Sequence, residues 1–186
     1  MVLILWYLGS YLPLKKSQFY IQGLSALQTT EPRSLQEFNN LFDPSLDSYS
    51  PIGQDEIVAS YLGFIINIMN QQTDRQLITT LVGQAERRVA PILEAKKGFN
   101  FSQVLFSTGT IYRIAAYKLK SEFYYEKSVE LYKEGLKYSP NRAIFLYGLL
   151  DLYRFEGDKE GEKEVGTTIL RYWPGDEKVR KIIESI

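Results

Sequence analysis

The chain has 186 residues, of which 45% are hydrophobic and 24% are charged, a composition typical of one globular domain or a short repeat array. Lys plus Arg and Asp plus Glu each number 22, so the net charge is zero and no basic surface for nucleic acid is indicated. The chain contains neither His nor Cys, which excludes imidazole bases, Ser-His-Asp triads, thiol nucleophiles and His or thiolate metal ligands. We therefore expect no metal site and no cofactor, and carboxylate chemistry is the enzymatic alternative that remains.

Residues 1–14, with the sequence MVLILWYLGSYLPL, form an uncharged apolar segment that Lys15 and Lys16 follow directly. The segment is shorter than the roughly 20 residues that a helix needs to cross a bilayer, and it lacks the basic start of a signal peptide. Aromatic residues next to a lysine pair are typical of the end of a transmembrane helix. Three interpretations stay open: the end of a membrane helix that begins upstream, a buried first helix of a soluble domain, and an interfacial anchor.

The segments after the lysine pair predict two short helices and then a loop. Residues 17–28 are modestly amphipathic, and Ser34 with Glu37 forms a capping box, in which each side chain binds the backbone amide of the other residue at a helix start. Residues 43–53, DPSLDSYSPIG, are rich in Pro, Ser and Asp, a composition that predicts a loop.

Two longer helices are predicted in the centre of the chain. Residues 54–70 are apolar over most of the helix circumference, which indicates a central helix, and residues 74–94 carry one apolar face. Pro91 should kink or end the second helix, because proline lacks the amide hydrogen and clashes with the preceding turn. Residues 96–100 predict a linker. Because no segment shows convincing β alternation, we predict an all-α fold.

Two prolines near the carboxyl terminus mark a repeat. Pro140 and Pro174 end similar helical stretches and lie 34 residues apart, the period of the tetratricopeptide repeat. The pattern is matched at Gly109, Tyr112, Ser128, Tyr132, Gly135 and Pro140 in one unit and at Leu146, Leu149, Leu150, Tyr153, the Gly157-Asp158 turn and Pro174 in the next. Small residues let paired helices approach closely, and the aromatic residue fills the gap to the next pair. Residues 101–186 therefore resemble the tetratricopeptide (TPR) family, which implies a TPR-like superhelix of helical hairpins, a right-handed α-solenoid.

Three features depart from the TPR pattern or extend it. Glu162 stands in place of the usual alanine and Gly166 in place of the usual aromatic residue, so we expect the last repeat helix to be loosely packed or to act as a cap. The spacing from Tyr112 to Ser128 exceeds that of a standard repeat by about two helical turns, which predicts longer helices in that hairpin. Residues 176–186 fit the solvating cap that such arrays require.

The order of the segments along the chain indicates a more specific resemblance than the repeat alone. The apolar segment 1–14 is followed by a short hairpin, a loop that ends in Gly53-Gln-Asp-Glu56, a helix pair, and repeats that contain SPNR at 139–142. This order is similar to the carboxy-terminal TPR tail of bacterial O-antigen ligase/polymerase-type membrane proteins. In that family the chemistry belongs to the multi-helix membrane part, which uses lipid-linked glycans as donors, so no catalytic residue is carried over to this chain.

The resemblance implies three segments: 1–14 as a truncated membrane-helix end or apolar first helix, 15–98 as degenerate helical hairpins, and 99–186 as TPR-like repeats with a capping helix. It also implies a non-catalytic protein-interaction scaffold in surface-polysaccharide assembly, membrane-associated in bacteria, with the side of the membrane open. The alternatives are a stand-alone soluble TPR adaptor, if the chain is complete, and a carboxylate-dependent enzyme, which is less favoured.

In a standard repeat the first helix lines a concave groove at positions i, i+3, i+7 and i+10. These positions are Gln103, Phe106, Thr110 and Arg113 in one unit and Ile144, Tyr147, Asp151 and Arg154 in the next. We expect Arg113, Tyr147, Asp151 and Arg154 to hold a protein or peptide partner through a carboxylate or a polar chain. The alternative is a solvated helix face with a local ion pair.

Two further sets of residues are assigned to structure. Asp55 and Glu56 open a helix, where acidic side chains favour the helix dipole, and neighbouring positions on a helix do not face each other. We therefore interpret them as a helix cap and not as an acid–base pair. The tyrosines clustered between residues 112 and 138 have helical spacing, which favours packing between helices over a platform for sugars.

Overall fold

The computed structural model of the protein describes residues 2–32 and 34–186. Within these ranges the chain is helical and has no β-strand, which confirms the all-α prediction. The elements, in chain order, are α1 (Val2–Trp6), a π-helical turn (Tyr7–Tyr11), α2 (Leu12–Thr29), α3 (Leu35–Asp47), α4 (Gln54–Gln71), α5 (Arg75–Ala95), α6 (Phe101–Leu119), α7 (Glu122–Tyr138), α8 (Ala143–Glu156), α9 (Lys159–Tyr172) and α10 (Glu177–Glu184).

From α2 onward, the helices of the described chain form consecutive pairs that pack against one another. Helices α2 and α3, α4 and α5, α6 and α7, and α8 and α9 are in contact within their pairs, and α10 packs on α9. Helix α6 also contacts both α4 and α5, and α8 contacts both α6 and α7. The first helix of each of these later pairs is thus held by both helices of the preceding pair, and the apolar core continues through these layers.

Tyr132 of α7 occupies the junction between α6 and α8. Its side chain is fully buried, and its hydroxyl shares a 3.0 Å hydrogen bond with the hydroxyl of Thr110. A Cβ atom added at Gly109 of α6 or at Gly148 of α8 would lie 2.5 Å from a ring carbon of Tyr132. The two glycines therefore leave the space in which the aromatic ring fills the gap between successive helix pairs.

The pair α6–α7 is longer than the pair that follows it. Helices α6 and α7 have 19 and 17 residues, whereas α8 and α9 have 14 each, so the extra residues lengthen both helices as predicted. The expectation of a loosely packed α9 is wrong. Glu162 is buried beside Lys159, and Gly166 is buried against Ile183 of α10. The absence of a side chain at Gly166 lets α10 lie directly on α9.

Side-chain caps begin two of the helices at the predicted positions. The hydroxyl of Ser34 accepts a hydrogen bond from the amide of Glu37 at 3.2 Å at the start of α3. Gly157 ends α8 in the left-handed conformation, with φ of 79°, and the carboxylate of Asp158 accepts a hydrogen bond from the amide of Gly161 at 2.9 Å. The turn predicted at Gly157-Asp158 is therefore confirmed.

The loop predicted for residues 43–53 is wrong in its first half, because α3 continues through Pro44 to Asp47. Arg88 of α5 binds the carboxylates of both Asp43 and Asp47, and the Arg88–Asp43 distance is 2.7 Å. These contacts from a distant segment favour the helical conformation on both sides of the proline and offset the local preference for a turn.

The expectation that Pro91 ends its helix is also wrong, because α5 continues to Ala95. Val89 and Ile92, on either side of the proline, are both buried in the core. The apolar face of α5 is thus maintained across the proline, and the burial of these side chains offsets the lost amide hydrogen bond.

The connections between helices lie at two opposite ends of the molecule. The linker end comprises residues 48–53, 96–100, 139–142 and 173–176, and the turn end comprises residues 72–74, 120–121 and 157–158. At the linker end, the amide of Asn100 donates to the carboxylate of Asp55 at 2.7 Å. At the turn end, the amine of Lys118 donates to the carbonyl oxygen of Asn70 at 2.8 Å. Helix α6 runs from the first end to the second.

The amino-terminal helical segment lies outside the core. None of the side chains from Leu3 to Lys15 is buried, and Leu3 is 80% exposed. The interpretation of residues 1–14 as a buried first helix is therefore wrong for the residues that the structure describes. Among those residues, no helix combines the length and the apolar character needed to span a membrane.

Candidate partner-binding face

The predicted groove residues in the first half of α6 lie mainly in the packed interface with its neighbours. Thr110 is buried, and its hydroxyl donates to the carbonyl oxygen of Phe106 at 2.9 Å. The half-buried ring of Phe106 stacks on Tyr132 with 5.9 Å between centroids. Gln103 is half-buried and donates to the hydroxyl of Ser107 at 3.3 Å. The structure thus uses these positions for packing between helices.

Arg113 and Asp151 join α6 to α8 at the surface. Nη1 of Arg113 donates to Oδ2 of Asp151 at 2.7 Å, and the two side chains are 23% and 54% exposed. Nε of Arg113 is buried and has no hydrogen-bond partner among the described residues. Solvent-exposed ion pairs contribute little to stability. Because Asp151 is the more exposed of the two, a carboxylate of a partner can replace it on the guanidinium of Arg113 at small cost.

Tyr117 and Phe155 extend this surface by one helical turn. Their ring centroids are 4.1 Å apart, and the hydroxyl of Tyr117 donates to the carbonyl oxygen of Asp151 at 3.2 Å. Burial raises the pKa of Tyr117 to about 12, so the phenol stays a hydrogen-bond donor at neutral pH. Neither residue was predicted for the groove, and Tyr117 was among the tyrosines assigned to packing between helices. Each nevertheless follows a predicted groove residue at i+4, the spacing that places side chains on one helix face.

Tyr147 connects the surface to the carboxy-terminal helix. Its hydroxyl donates to a carboxylate oxygen of Asp176 at the start of α10, and its ring centroid lies 6.2 Å from that of Trp173. Burial, followed by the hydrogen bond to Asp176, raises the pKa of Tyr147 to about 12. The same hydrogen bond, together with amides of α10, lowers the pKa of Asp176. A neutral phenol and an ionised carboxylate are the forms that keep this contact at neutral pH.

The remaining groove candidates differ in exposure. Ile144 is half-buried, whereas Arg154 is exposed and forms no ion pair within the described part of the chain. Arg142, which sequence analysis did not assign, donates to the hydroxyl of Ser102 at 2.5 Å and joins α8 to α6 at the linker end. From here on, the α6–α8 face denotes Arg113, Tyr117, Tyr147, Asp151, Arg154 and Phe155.

Asp55 links two helices, and its carboxylate also interacts with the carboxyl group of the neighbouring Glu56. Its Oδ2 accepts the hydrogen bond from the amide of Asn100, the residue that precedes α6. A Cβ at Gly98, where φ is 123°, would lie 2.8 Å from Oδ2, so glycine provides the room for this contact. Although partial burial opposes ionisation, the hydrogen bond from Asn100 and further donors lower the pKa of Asp55.

We expect Asp55→Ala to reduce the free energy of unfolding at neutral pH by about 1.5–3 kcal/mol, the usual contribution of a hydrogen bond to a charged group. Because the folded-state pKa of Asp55 is lowered, the stabilisation is present above the unfolded-state pKa and is lost as the pH falls through the folded-state pKa. Urea denaturation of both proteins should therefore give curves that converge in acid. Glu94→Ala is the control, since Glu94 is exposed on α5 and forms no ion pair within the described residues, so its removal should change stability by no more than about 0.5 kcal/mol in neutral or acidic solution. A difference that persists unchanged in acid would contradict the role of Asp55.

The described residues contain no group of three or more acidic side chains arranged to hold a metal ion. No protein-family model, curated protein or solved structure matches the chain.

Proposed function

We propose that the chain is a non-catalytic, TPR-like interaction module whose α6–α8 face holds a protein or peptide partner. The observation that carries the proposal is the direct contact of α6 with α8, which places Arg113 within hydrogen-bond distance of Asp151. Tyr117, Tyr147 and Phe155 surround this ion pair. Tyrosine and arginine are among the residue types enriched at protein interfaces, where they contribute most of the binding energy.

The TPR-like α-solenoid is part of the same proposal. It is supported by the repeated packing in which α6 contacts both α4 and α5, and α8 contacts both α6 and α7. It is also supported by Tyr132, which lies between the glycines of two successive first helices. Helix α10, seated on Gly166, covers the last pair, as a terminal cap does in repeat proteins.

The face is suited to a partner that carries a carboxylate near an apolar side chain. Arg113 can transfer its hydrogen bonds from Asp151 to the incoming carboxylate, and exposed Arg154 supplies a second positive charge. Asp151, once released, remains as an acceptor for an amide or amine of the partner. The exposed half of Phe155 offers apolar contact area beside these charges. A peptide segment combines all of these groups.

The test is site-specific photo-crosslinking in the cells that express the protein. A photoreactive phenylalanine analogue at Tyr147 should crosslink a discrete partner, identified by mass spectrometry. Introducing Arg113→Ala together with Arg154→Ala should weaken capture by about tenfold or more, because a hydrogen bond to a charged group contributes about 1.5–3 kcal/mol. Helicity measured by circular dichroism should stay unchanged, since neither arginine belongs to the apolar core.

A matched control removes two positive charges from another surface. Lys163 and Arg171 are exposed on α9, and Lys163→Ala with Arg171→Ala should leave capture at Tyr147 unchanged. Equal capture by both double variants would overturn the assignment of the α6–α8 face. An enzyme acting through carboxylates would instead require one carboxylate variant to abolish a turnover while the fold stayed intact.

The resemblance to the tails of O-antigen ligase/polymerase-type membrane proteins supplies the biological setting of the proposal. On that resemblance, the partner belongs to surface-polysaccharide assembly in a bacterium. The alternative of a stand-alone adaptor assumes that the first helix is buried. The side chains from Leu3 to Leu14 are not buried, so this alternative is less favoured.

A further inference from the structure

The amino-terminal helix projects from the linker end of the molecule. Lys16 is the first buried side chain of the described chain, and its amine donates to the carbonyl oxygen of Ser48, just after α3, at 2.5 Å. Backbone angles remain right-handed helical at Trp6, Tyr11 and Leu12, so α1, the π-helical turn and α2 form one continuous helix. The part before Lys16 therefore extends about 20 Å beyond this contact.

The projecting part is apolar around its whole circumference. Leu3, Ile4, Leu5 and Trp6 are consecutive, and each is more than half exposed. Consecutive residues of a helix are rotated by about 100°, so these four side chains point in all directions. No Asp, Glu, Lys or Arg occurs before Lys15. A protein partner on one face would leave the other faces in water, whereas the hydrocarbon of a bilayer surrounds a helix on all sides.

Large side chains are exposed in two connections of the linker end, from which the projecting helix also emerges. Tyr49 lines a cleft of about 370 Å³ together with Tyr7 and Leu8 of the projecting part. Ile52 lies in the same connection as Tyr49 and is 62% exposed. Phe99 is 93% exposed and precedes Asn100, whose amide binds Asp55 in the first turn of α4. The linker end thus presents three large exposed side chains, of which Tyr49 lies beside the projecting helix.

Lysines border this apolar surface. Lys15 follows the projecting part directly, and Lys96 and Lys97 precede Phe99 in the connection 96–100. Lys15 and Lys97 form no ion pair within the described residues, whereas Lys96 lies 3.1 Å from Glu134. Basic side chains next to an apolar segment are attracted to the anionic headgroups of a membrane surface, each by about 1 kcal/mol.

We propose that the linker end faces a lipid bilayer that contains anionic lipids. The side chains of residues 3–14 enter the hydrocarbon, and Tyr49, Ile52 and Phe99 lie in the interfacial layer at the base of the helix. Aromatic side chains are favoured in that layer. Helix α6 then points away from the bilayer, and the turn end lies about 28 Å farther from the membrane, the length of its 19 residues. This orientation is independent of what the α6–α8 face binds.

Two exposed phenylalanines at opposite ends provide a matched pair of probes. Phe99 lies at the linker end, and Phe123, 57% exposed, lies at the start of α7 at the turn end. In a background that carries Trp6→Phe and Trp173→Phe, either Phe99→Trp or Phe123→Trp gives the chain a single tryptophan. The full-length variants are mixed with vesicles of phosphatidylcholine and phosphatidylglycerol whose acyl chains carry bromine near the headgroup. Bromine quenches tryptophan emission at short range only.

The expected result is quenching of the Phe99→Trp protein and no quenching of the Phe123→Trp protein. A third protein that keeps native Trp6 and carries Trp173→Phe reports on the projecting helix. Because Trp6 lies about 15 Å beyond Lys16, this protein is mixed with vesicles whose acyl chains carry bromine near their methyl ends, and it should be quenched there. If bromine quenched the Phe99→Trp and Phe123→Trp proteins to the same extent, the proposed orientation would be overturned. Unquenched Trp6 would overturn the insertion of residues 3–14. Arg113→Ala with Arg154→Ala should leave all three results unchanged, so a failure here is distinguishable from a failure of the α6–α8 face.

Discussion

Tyr132→Ala should reduce the free energy of unfolding by about 3–5 kcal/mol, the range found when a large aromatic side chain is removed from a core. The Tyr132 side chain is fully buried, and its ring lies within 6.1 Å of the rings of Phe106 and Phe145. The glycines on either side have no side chains that could move into the cavity. Urea denaturation followed by circular dichroism measures the loss.

Two further variants separate the contributions of the ring and the hydroxyl. Tyr132→Phe removes only the hydrogen bond to Thr110, and Thr110 keeps its bond to the carbonyl oxygen of Phe106. We expect a loss of about 0.5–1.5 kcal/mol. Tyr49→Ala removes a tyrosine that is 71% exposed and should stay within about 0.5 kcal/mol of the parent protein. A loss for Tyr132→Ala as small as that for Tyr49→Ala would show that the ring does not hold the helix pairs together.

Local sequence patterns predicted most of the helix framework. The apolar spacing of residues 54–70 and 74–94 corresponds closely to α4 and α5, and the turn at Gly157-Asp158 is where it was expected. Such features depend on neighbours within a few positions, and their physical causes are therefore present in the sequence itself. Pro44 shows where local patterns fail to predict a helix, because the helix that contains it is stabilised by Arg88, a residue 44 positions away.

The candidate face was predicted less completely than the helices. The spacing rule selected Arg113 and Asp151, which the structure brings together, but it also selected Thr110, which is buried against Tyr132. Each helical step rotates a side chain by about 100°, so a small difference in the rotation of α6 about its axis exchanges groove positions for core positions. That rotation is set by contacts with α7 and α8, which a single helix pattern does not contain. Tyr117 was missed because the rule ended one turn too early.

Asp55 and Lys16 depend still more on tertiary structure. The partner of the Asp55 carboxylate is an amide 45 residues away, and the partner of the Lys16 amine is a carbonyl oxygen 32 residues away. Backbone groups carry no sequence signal, since almost every residue has the same amide and carbonyl. The charge pattern alone therefore could not distinguish Lys16, which is buried, from the exposed Lys15 beside it.

Overpacking a core usually costs about 1–3 kcal/mol, so Gly148→Ala should reduce the free energy of unfolding, by up to about 2 kcal/mol once the helix preference for alanine is included. The new Cβ would lie 2.5 Å from Cε2 and 2.8 Å from Cζ of Tyr132. Gly109 of α6 lies against the opposite edge of the ring, so the ring has no free space into which to move away from Gly148. This cost outweighs the gain of about 1 kcal/mol that alanine normally gives over glycine within a helix.

Gly63→Ala is the matched control for Gly148→Ala. Gly63 also lies inside a helix, α4, but a Cβ there would meet nothing within 4 Å. Only the helix preference then operates, and Gly63→Ala should raise the free energy of unfolding by about 0.4–1 kcal/mol. Changes of opposite sign in urea denaturation would show that contact with Tyr132 decides the outcome, whereas stabilisation by both variants would contradict the close packing of α7 against α8. In a Tyr132→Ala background the penalty of Gly148→Ala should disappear, because the ring that it meets is absent.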